Sequence, residues 1–218
     1  MKINVVRSVL DASDALAAEN RRRMDEARLL CVNLLSAPGS GKTTLLEKSL
    51  PALGEGIRAG VLVGDLQTTR DAERLAGAAA QVTQINTGRG CHLSPAQVAQ
   101  GLSGLDLADL DYLFIENVGN MVCPAAFDLG EHRRAVLLSV PEGDDKVAKY
   151  PTLFQKADVI LLTKVDLVGV LDYRFDRVRD DLAKVNTAAP VIRCSPKTGD
   201  GVAEWVAWLR EQRAAMPR

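Results

Sequence analysis

A glycine-rich segment, residues 36–44, has the spacing that phosphate chemistry requires. It reads Ser-Ala-Pro-Gly-Ser-Gly-Lys-Thr-Thr and follows an apolar run over residues 29–35. A buried strand, a glycine-rich turn and a Gly-Lys-Thr that opens a helix form the context of a phosphate-binding loop. Glycines let backbone N–H groups turn toward phosphate oxygens, and the start of the helix adds partial positive charge. The segment predicts a nucleoside triphosphate site.

Each residue of this loop has an expected role. Lys42 would reach the β- and γ-phosphates, and the Thr43 hydroxyl would bind Mg²⁺. Ser36 replaces the first glycine of the usual motif. An ordinary glycine-rich turn is the alternative interpretation. The predicted phosphate contacts are Gly39, Ser40, Gly41, Lys42, Thr43 and Thr44.

Two carboxylates follow two other predicted strands. Asp65 comes after the apolar residues 61–63, and Glu116 comes after residues 113–115. A carboxylate at a strand end can bind Mg²⁺ directly or through water, and the N–H of Gly119 is placed to sense the γ-phosphate. Both acids could instead be capping residues. We expect Thr43, Asp65 and Glu116 around Mg²⁺.

Hydrolysis needs a group that orients the attacking water. The catalytic candidates are Lys42, Asp65 and Glu116, and Asp65 is the leading candidate for positioning the water. Asp71 and Arg70 are accessory candidates.

A base-recognition element follows the buried run over residues 159–162. Thr163, Lys164 and Asp166 form Thr-Lys-x-Asp, a variant of Asn-Lys-x-Asp in GTP-binding domains. The aspartate would accept both N–H donors of guanine, and the lysine stem would cover the base. Ser195 and Lys197 follow another strand, where GTPases carry a Ser-Ala-Lys-like loop. These residues favour GTP over ATP and therefore disfavour an ATP-dependent small-molecule kinase. The alternative interpretation of residues 163–166 is a polar segment where the strand ends.

Sulfur and imidazole ligands indicate a possible second site. Cys91 and His92 are adjacent, and Cys123 lies just beyond the Glu116 segment. Two thiolates and an imidazole suit Zn²⁺ or Ni²⁺, whereas thiols beside a loop histidine are the alternative. Cys31 and Cys194 lie inside apolar runs and are expected in the core.

Composition excludes several classes of function. The chain has 218 residues, 47% apolar residues and a formal net charge of −1, with 27 basic and 28 acidic residues. This near balance does not indicate a nucleic-acid surface. No apolar run is long enough for a membrane span, and no signal-peptide core follows Met1. We expect a cytoplasmic protein without nucleic-acid or membrane partners.

Seven short apolar runs alternate with helical stretches, which predicts an α/β fold: a mainly parallel seven-stranded sheet with helices on both faces, as in P-loop GTPases. Residues 1–28 are expected to form an N-terminal helical extension, with a helix over 11–27, and residues 29–218 the GTPase domain. The run Arg21-Arg22-Arg23 is interpreted as a solvated face, and His132 as an exposed loop residue. The expected helices cover residues 43–53, 70–80, 95–102, 173–185 and 202–213.

Longer motifs carry a family resemblance. They are Gly64-Asp65-x-Gln67-Thr68, Gln84-Ile85-Asn86-Thr87-Gly88 with Cys91-His92-Leu93, Glu116-Asn117-Val118-Gly119-Asn120, and Cys123-Pro124-Ala125-x-Phe127-Asp128-Leu129-Gly130-Glu131. They resemble the HypB family, GTPases of nickel insertion into nickel-iron hydrogenase within the SIMIBI class of P-loop proteins. The related urease-maturation GTPases carry a Cys-Pro-His metal motif instead.

The resemblance implies a mechanism and partners. It assigns Cys91, His92 and Cys123 as Ni²⁺ or Zn²⁺ ligands near a subunit interface. It implies a homodimer favoured by GTP, nickel exchange with a HypA-type metallochaperone, and indirect action on the hydrogenase large subunit. The chain shows neither the cysteine-rich N-terminal nickel site nor the histidine-rich tract of some members. The alternative function is a nucleotide-gated interaction protein with structural zinc or thiols.

Overall fold

The strands of the computed structural model, which describes residues 9–65, 68–88 and 90–217, form one sheet. Within these residues seven strands pair in parallel, in the order β3-β2-β4-β1-β5-β6-β7. The strands are β1 Leu30–Leu35, β2 Ala59–Asp65, β3 Gln81–Asn86, β4 Tyr112–Glu116, β5 Arg133–Ser139, β6 Val159–Thr163 and β7 Val191–Cys194.

Helices connect the strands and cover the sheet. In the described part of the chain the α-helices are α1 Val9–Glu26, α2 Lys42–Ser49, α3 Arg70–Leu75, α4 Pro95–Leu102, α5 Lys146–Lys149, α6 Pro151–Gln155, α7 Phe175–Val185 and α8 Val202–Ala214. Short 3₁₀ turns include Cys123–Ala126 after β4. Parallel strands require such crossover connections, and the helices bury both faces of the sheet.

Alternate residues of the strands point to opposite faces. Val32 and Phe114 belong to a core cluster with α2, α3 and α8. Cys31 and Ile115 point the other way, into a cluster with α1 and α4. A third cluster packs β5 and β6 against α5, α6 and α7. The predicted fold class is confirmed, and Cys31 and Cys194 lie in the core as expected.

Helix α1 docks on the sheet-covering layer through buried and polar contacts. Met24 is fully buried, and the buried Asn20 amide donates to carbonyl oxygens of Pro95 at 2.9 Å and Leu129 at 3.1 Å. Arg21 donates to the carbonyl oxygen of Gly130 at 2.6 Å. These contacts attach the helix to the loop before β5 and to the start of α4.

Two expectations about charged residues are wrong in part. Of the arginine run, Arg22 is the exposed member and pairs with two glutamates on its own helix, whereas Arg21 and Arg23 donate to backbone carbonyls of other elements. His132 is not an exposed loop residue. It lies directly before β5, its side chain is 9% exposed, and its Nδ1 accepts a hydrogen bond from the Cys31 N–H at 2.9 Å.

Candidate functional site

The phosphate-binding loop joins β1 to α2 at the carboxyl edge of the sheet. Gly39 and Gly41 have φ of +73° and +98°, and α2 begins at Lys42. The Lys42 ammonium donates to the Ser36 hydroxyl at 2.9 Å, and both residues are buried. Burial lowers the pKa of Lys42. The serine at the first-glycine position therefore holds the lysine side chain inside the loop.

Thr43 and Glu116 meet where Mg²⁺ was expected. The Thr43 hydroxyl donates to Glu116 Oε1 at 2.7 Å. Desolvation raises the pKa of Glu116 to about 7, although the hydrogen bond from Thr43 acts to lower it. Glu116 is 5% exposed, and its Oε2 has no hydrogen-bond partner among the described residues. A buried carboxylate oxygen without a partner, beside a hydroxyl, fits a hard divalent cation such as Mg²⁺.

Asp65 lies at the end of β2 on the same side of the site. Its Oδ2 accepts from the N–H of Thr68 at 3.1 Å and from the Thr68 hydroxyl. Gln67, part of the same motif, lies outside the described residues, as does Arg89.

These groups line a cavity of about 410 Å³. Its wall contains most of the predicted phosphate and magnesium residues, and also Asp71 and Arg74, which pair with each other. Arg70, an accessory candidate, is not in this wall. The predicted residues in the wall are Gly39, Gly41, Lys42, Thr43, Thr44, Asp65, Glu116, Gly119 and Lys164.

A second cavity of about 300 Å³ adjoins the first through Gly41, Thr44 and Lys164. Asp166, Ser195 and Lys197 line it, and the Ser195 hydroxyl donates to Asp166 Oδ1 at 2.6 Å. The predicted base-recognition residues therefore line a cavity next to the phosphate-binding loop.

The hydroxyl groups of Thr163 and Ser40 make hydrogen bonds to protein groups behind the phosphate-binding loop. The Thr163 hydroxyl is buried and donates to the Ser40 carbonyl oxygen at 2.7 Å. The Ser40 hydroxyl donates to Glu142 Oε1 at 2.7 Å and contacts the Ala37 carbonyl oxygen. Thr163 thus supports the phosphate loop from β6, and Glu142 is a further supporting residue that no local motif indicates.

The segment after β4 lies directly on the phosphate loop. A Cβ on Gly119 would be 2.7 Å from Pro38 Cα, so only glycine fits this approach. The Asn120 N–H donates to the Ser36 carbonyl oxygen at 2.8 Å. The Asn120 side chain in turn accepts from the backbone N–H groups of Val122 at 2.7 Å and Cys123 at 3.2 Å.

The three predicted metal ligands come together. One ligand atom from each of Cys91, His92 and Cys123 lies within 4.8 Å of the others, and Cys91 Sγ is 3.6 Å from His92 Nδ1. A hydrogen bond with the Cys123 thiol raises the pKa of Cys91, and desolvation lowers the pKa of His92. The His92 ring stacks on Phe127 at 4.3 Å between centroids. Two thiols and a neutral imidazole are a donor set for Zn²⁺ or Ni²⁺.

The fold and these two sites define a P-loop nucleotide-binding protein with a cysteine-histidine cluster beside its phosphate loop. The profile of the family described as "CobW/HypB/UreG, nucleotide-binding domain" matches residues 30–193. The chain therefore belongs to the CobW/HypB/UreG family, in which its relatives are HypB proteins.

Individual relatives cover nearly the whole chain. The hydrogenase maturation factor HypB of Azotobacter chroococcum is 45% identical over 99% of this chain and 71% of its own length. The hydrogenase/urease maturation factor HypB of Helicobacter pylori is 40% identical over 97% of this chain and 88% of its own length. A crystal structure of HypB from Helicobacter pylori in complex with nickel has a TM-score of 0.89, with 40% identity, and covers 93% of this chain and 95% of that one. The family resemblance inferred from the motifs is confirmed.

None of the helices in the described part of the chain combines the length and the apolar character needed to cross a membrane.

Proposed function

We propose that this protein is a GTP-hydrolysing metallochaperone that couples GTP binding and hydrolysis to nickel delivery during hydrogenase assembly. One observation carries the proposal: Asn120 is bonded to the phosphate loop through its N–H and to Cys123 through its side chain. A shift of the loop that contacts the γ-phosphate would therefore move a metal ligand.

The chain's own residues supply the hydrolytic site. Lys42 leaves the Ser36 hydroxyl to contact the β- and γ-phosphates, and backbone N–H groups from Gly39 to Thr44 surround the phosphate oxygens. Thr43, Asp65 and Glu116 would hold Mg²⁺, which when bound neutralises charge on those oxygens. Asp65 positions the attacking water.

Guanine specificity comes from the second cavity. Asp166 accepts from the two guanine N–H donors, Lys164 covers the base, and Ser195 and Lys197 close the other side. The hydrogen bond from Ser195 to Asp166 holds the carboxylate in place before the base arrives.

Nickel is the cargo, held by Cys91, His92 and Cys123. Thiolates bind the metal, so loading releases protons, and the raised pKa of Cys91 makes loading depend on pH. Three ligands leave a coordination position for water or for a group from another subunit.

The proposal extends to assembly and partners. We infer a homodimer favoured by GTP, nickel exchange with a HypA-type metallochaperone and, through it, action on the hydrogenase large subunit. We also infer a cytoplasmic location, where the thiols would stay reduced. The named function of the Azotobacter and Helicobacter relatives supports the hydrogenase assignment.

The test is a single-turnover experiment. Protein loaded with nickel and GTP is mixed with a colorimetric chelator, and phosphate release and nickel transfer are recorded together. Transfer should follow phosphate release, and Lys42→Ala should slow both by about 100-fold. Nickel transfer at an unchanged rate in Lys42→Ala would separate delivery from hydrolysis and refute the coupling.

The second candidate is a nucleotide-gated interaction protein with structural zinc, which the close stacking of His92 on Phe127 would suit. Under that function, Cys123→Ala would leave GTP-dependent partner binding intact and would lower the melting temperature. Under the main proposal the variant would keep its stability and lose nucleotide-sensitive nickel binding.

A further inference from the structure

One buried amide connects the two loops that carry the nucleotide and metal chemistry. Asn117 follows β4 and is 2% exposed. Its side-chain Oδ1 accepts from the Leu93 N–H at 3.2 Å and from the Val118 N–H at 2.9 Å. Leu93 directly follows His92, and Val118 directly precedes Gly119. A single oxygen therefore ties the Cys91-His92 loop to the loop that lies on the phosphate-binding segment.

Asn117 is anchored from the far side by other buried polar groups. Its Nδ2 donates to Asn33 Oδ1 at 3.4 Å, and Asn33 Nδ2 donates to Glu131 Oε1 at 3.2 Å. Asn33 lies in β1, three residues before Ser36, and both Asn33 and Glu131 are buried. The anchor is therefore part of the strand that carries the phosphate loop.

The same network returns to the metal cluster. Arg134 Nε donates to Glu131 at 2.6 Å, and Arg134 Nη2 donates to the Phe127 carbonyl oxygen at 2.9 Å. The Phe127 ring stacks on His92 with an interplanar angle of 9°. The network thus contacts the Cys91-His92 loop at two points: Phe127 contacts the His92 ring, and Asn117 accepts from the Leu93 N–H.

In this arrangement neither loop can move alone without leaving a backbone N–H unpaired. Buried N–H groups are nearly always paired, and leaving one unpaired costs free energy. If a nucleotide moves Val118 and the Asn117 oxygen follows it, the Leu93 N–H must follow as well or lose the side-chain acceptor that the described structure gives it. If the oxygen stays in place, the Val118 N–H loses its acceptor instead.

We propose that Asn117 is a positioning residue that relays the nucleotide state to the Cys91-His92 side of the metal cluster. The inference rests on the proposed function and adds a second connection, distinct from the Asn120 path to Cys123. A purely structural role in the core is the competing explanation.

The test compares nickel affinity at saturating GDP and at a saturating non-hydrolysable GTP analogue. The matched control is Asn186→Leu, since Asn186 also accepts from two backbone N–H groups, those of Ala188 and Ala189, in a region away from both sites. Asn117→Leu should reduce the ratio of the two nickel affinities at least fivefold, toward 1, whereas Asn186→Leu should keep the wild-type ratio.

A second readout is the amide resonance of Leu93 in ¹⁵N-labelled protein. It should differ between the two nucleotide states in the wild type and stop responding in Asn117→Leu. If Asn117→Leu does not fold, Asn117→Ser replaces it, because serine is small enough for the site and too short to reach the Leu93 N–H.

The outcomes separate this inference from the proposed function. A wild-type affinity ratio that persists in Asn117→Leu would overturn the relay and leave the function standing. A wild-type ratio of 1 would refute the function, and the Leu93 resonance would then decide the relay. A Leu93 resonance that ignores the nucleotide in the wild type would overturn the relay in every case.

Discussion

Under the proposed function, Asp166 is the residue whose chemistry selects the nucleotide base. It lies in the second cavity with the Ser195 hydroxyl bonded to one of its carboxylate oxygens. Guanine offers two N–H donors to a carboxylate, and adenine does not offer this pair. We therefore expect the preference for GTP to depend on one negatively charged acceptor.

We predict that Asp166→Asn lowers the ratio of GDP to ADP affinity by about 10- to 100-fold, since hydrogen bonds to charged groups contribute about 1.5–3 kcal/mol. Isothermal titration with GDP and ADP measures the ratio. Asp172→Asn, on the exposed loop beyond, is the control and should leave it unchanged. An unchanged ratio in Asp166→Asn would remove the basis for assigning guanine.

His132 makes folding depend on pH. Desolvation lowers its pKa, the positive charges of Arg21 and Arg133 act in the same direction, and Asp25 opposes them. Because its folded-state pKa is below its unfolded value, the unfolded chain binds more protons at mildly acidic pH. The stabilising contribution is therefore complete above the unfolded pKa of about 6.5 and is lost as the pH falls below it.

The corresponding prediction concerns the slope of unfolding free energy against pH. In urea titrations between pH 7.5 and 5, the contribution of His132 should be lost as the pH falls, so the stability of the wild type relative to His132→Gln should decrease. Glu116, whose raised pKa acts in the opposite direction, is present in both proteins and cancels from this difference. His92 also has a pKa lowered by desolvation, so His92→Gln in parallel measures its separate share. Equal slopes in the wild type and His132→Gln would contradict the assignment.

At the scale of elements, α1 depends on close approach to the loop before β5. Gly130 has φ of +96°, and a Cβ there would be 2.5 Å from the Ala17 carbonyl oxygen. The helix backbone therefore occupies the space that any side chain would need.

Gly130→Ala should destabilise the protein by about 2–3 kcal/mol, from left-handed backbone strain and displacement of α1. Chemical denaturation measures the change. Gly77→Ala is the matched control: no atom lies within 4 Å of its added Cβ, and we expect a change within about 0.5 kcal/mol. A similar stability in both variants would show that α1 is not held by this contact.

The apolar runs allowed all seven strands to be predicted because strands of a parallel sheet are buried on both faces. Boundaries of helices were harder. The helix expected over residues 70–80 ends at Leu75, since the Ala80 N–H already pairs with the Ala59 carbonyl oxygen at the start of β2. Helices α5 and α6 have four and five residues, with Tyr150 between them and Pro151 at the start of α6, and are too short for a periodic signal.

The site was predictable where residue chemistry follows a local motif and obscure where it depends on tertiary contacts. Lys42, Thr43 and Asp166 line the cavities as the motifs predict. The Thr163 hydroxyl instead bonds Ser40, 123 positions away, and no spacing rule indicates such a partner. His132 was misplaced for a similar reason, because its role depends on its pairing with Cys31 in the neighbouring strand.

At the scale of the whole molecule, the parallel sheet brings both sites to one edge. The carboxyl ends of β1, β2, β4 and β6 carry the phosphate loop, Asp65, Glu116 and Lys164, and the loops after β3 and β4 add the metal ligands. The nucleotide and metal sites therefore share the segment after β4. Under the proposed function a change at one site acts on the other, and linkage then requires the effect to be reciprocal.

Under the proposed function, the nucleotide state controls nickel binding. Nickel is titrated into protein saturated with GDP and then with a non-hydrolysable GTP analogue, while thiolate-to-metal absorption and molar mass are recorded together. We predict a stoichiometry and mass that differ between the two states, lost in Cys123→Ala and retained in Cys194→Ala, whose thiol lies in the core away from the cluster. Identical nickel binding and identical mass in both nucleotide states would contradict the account.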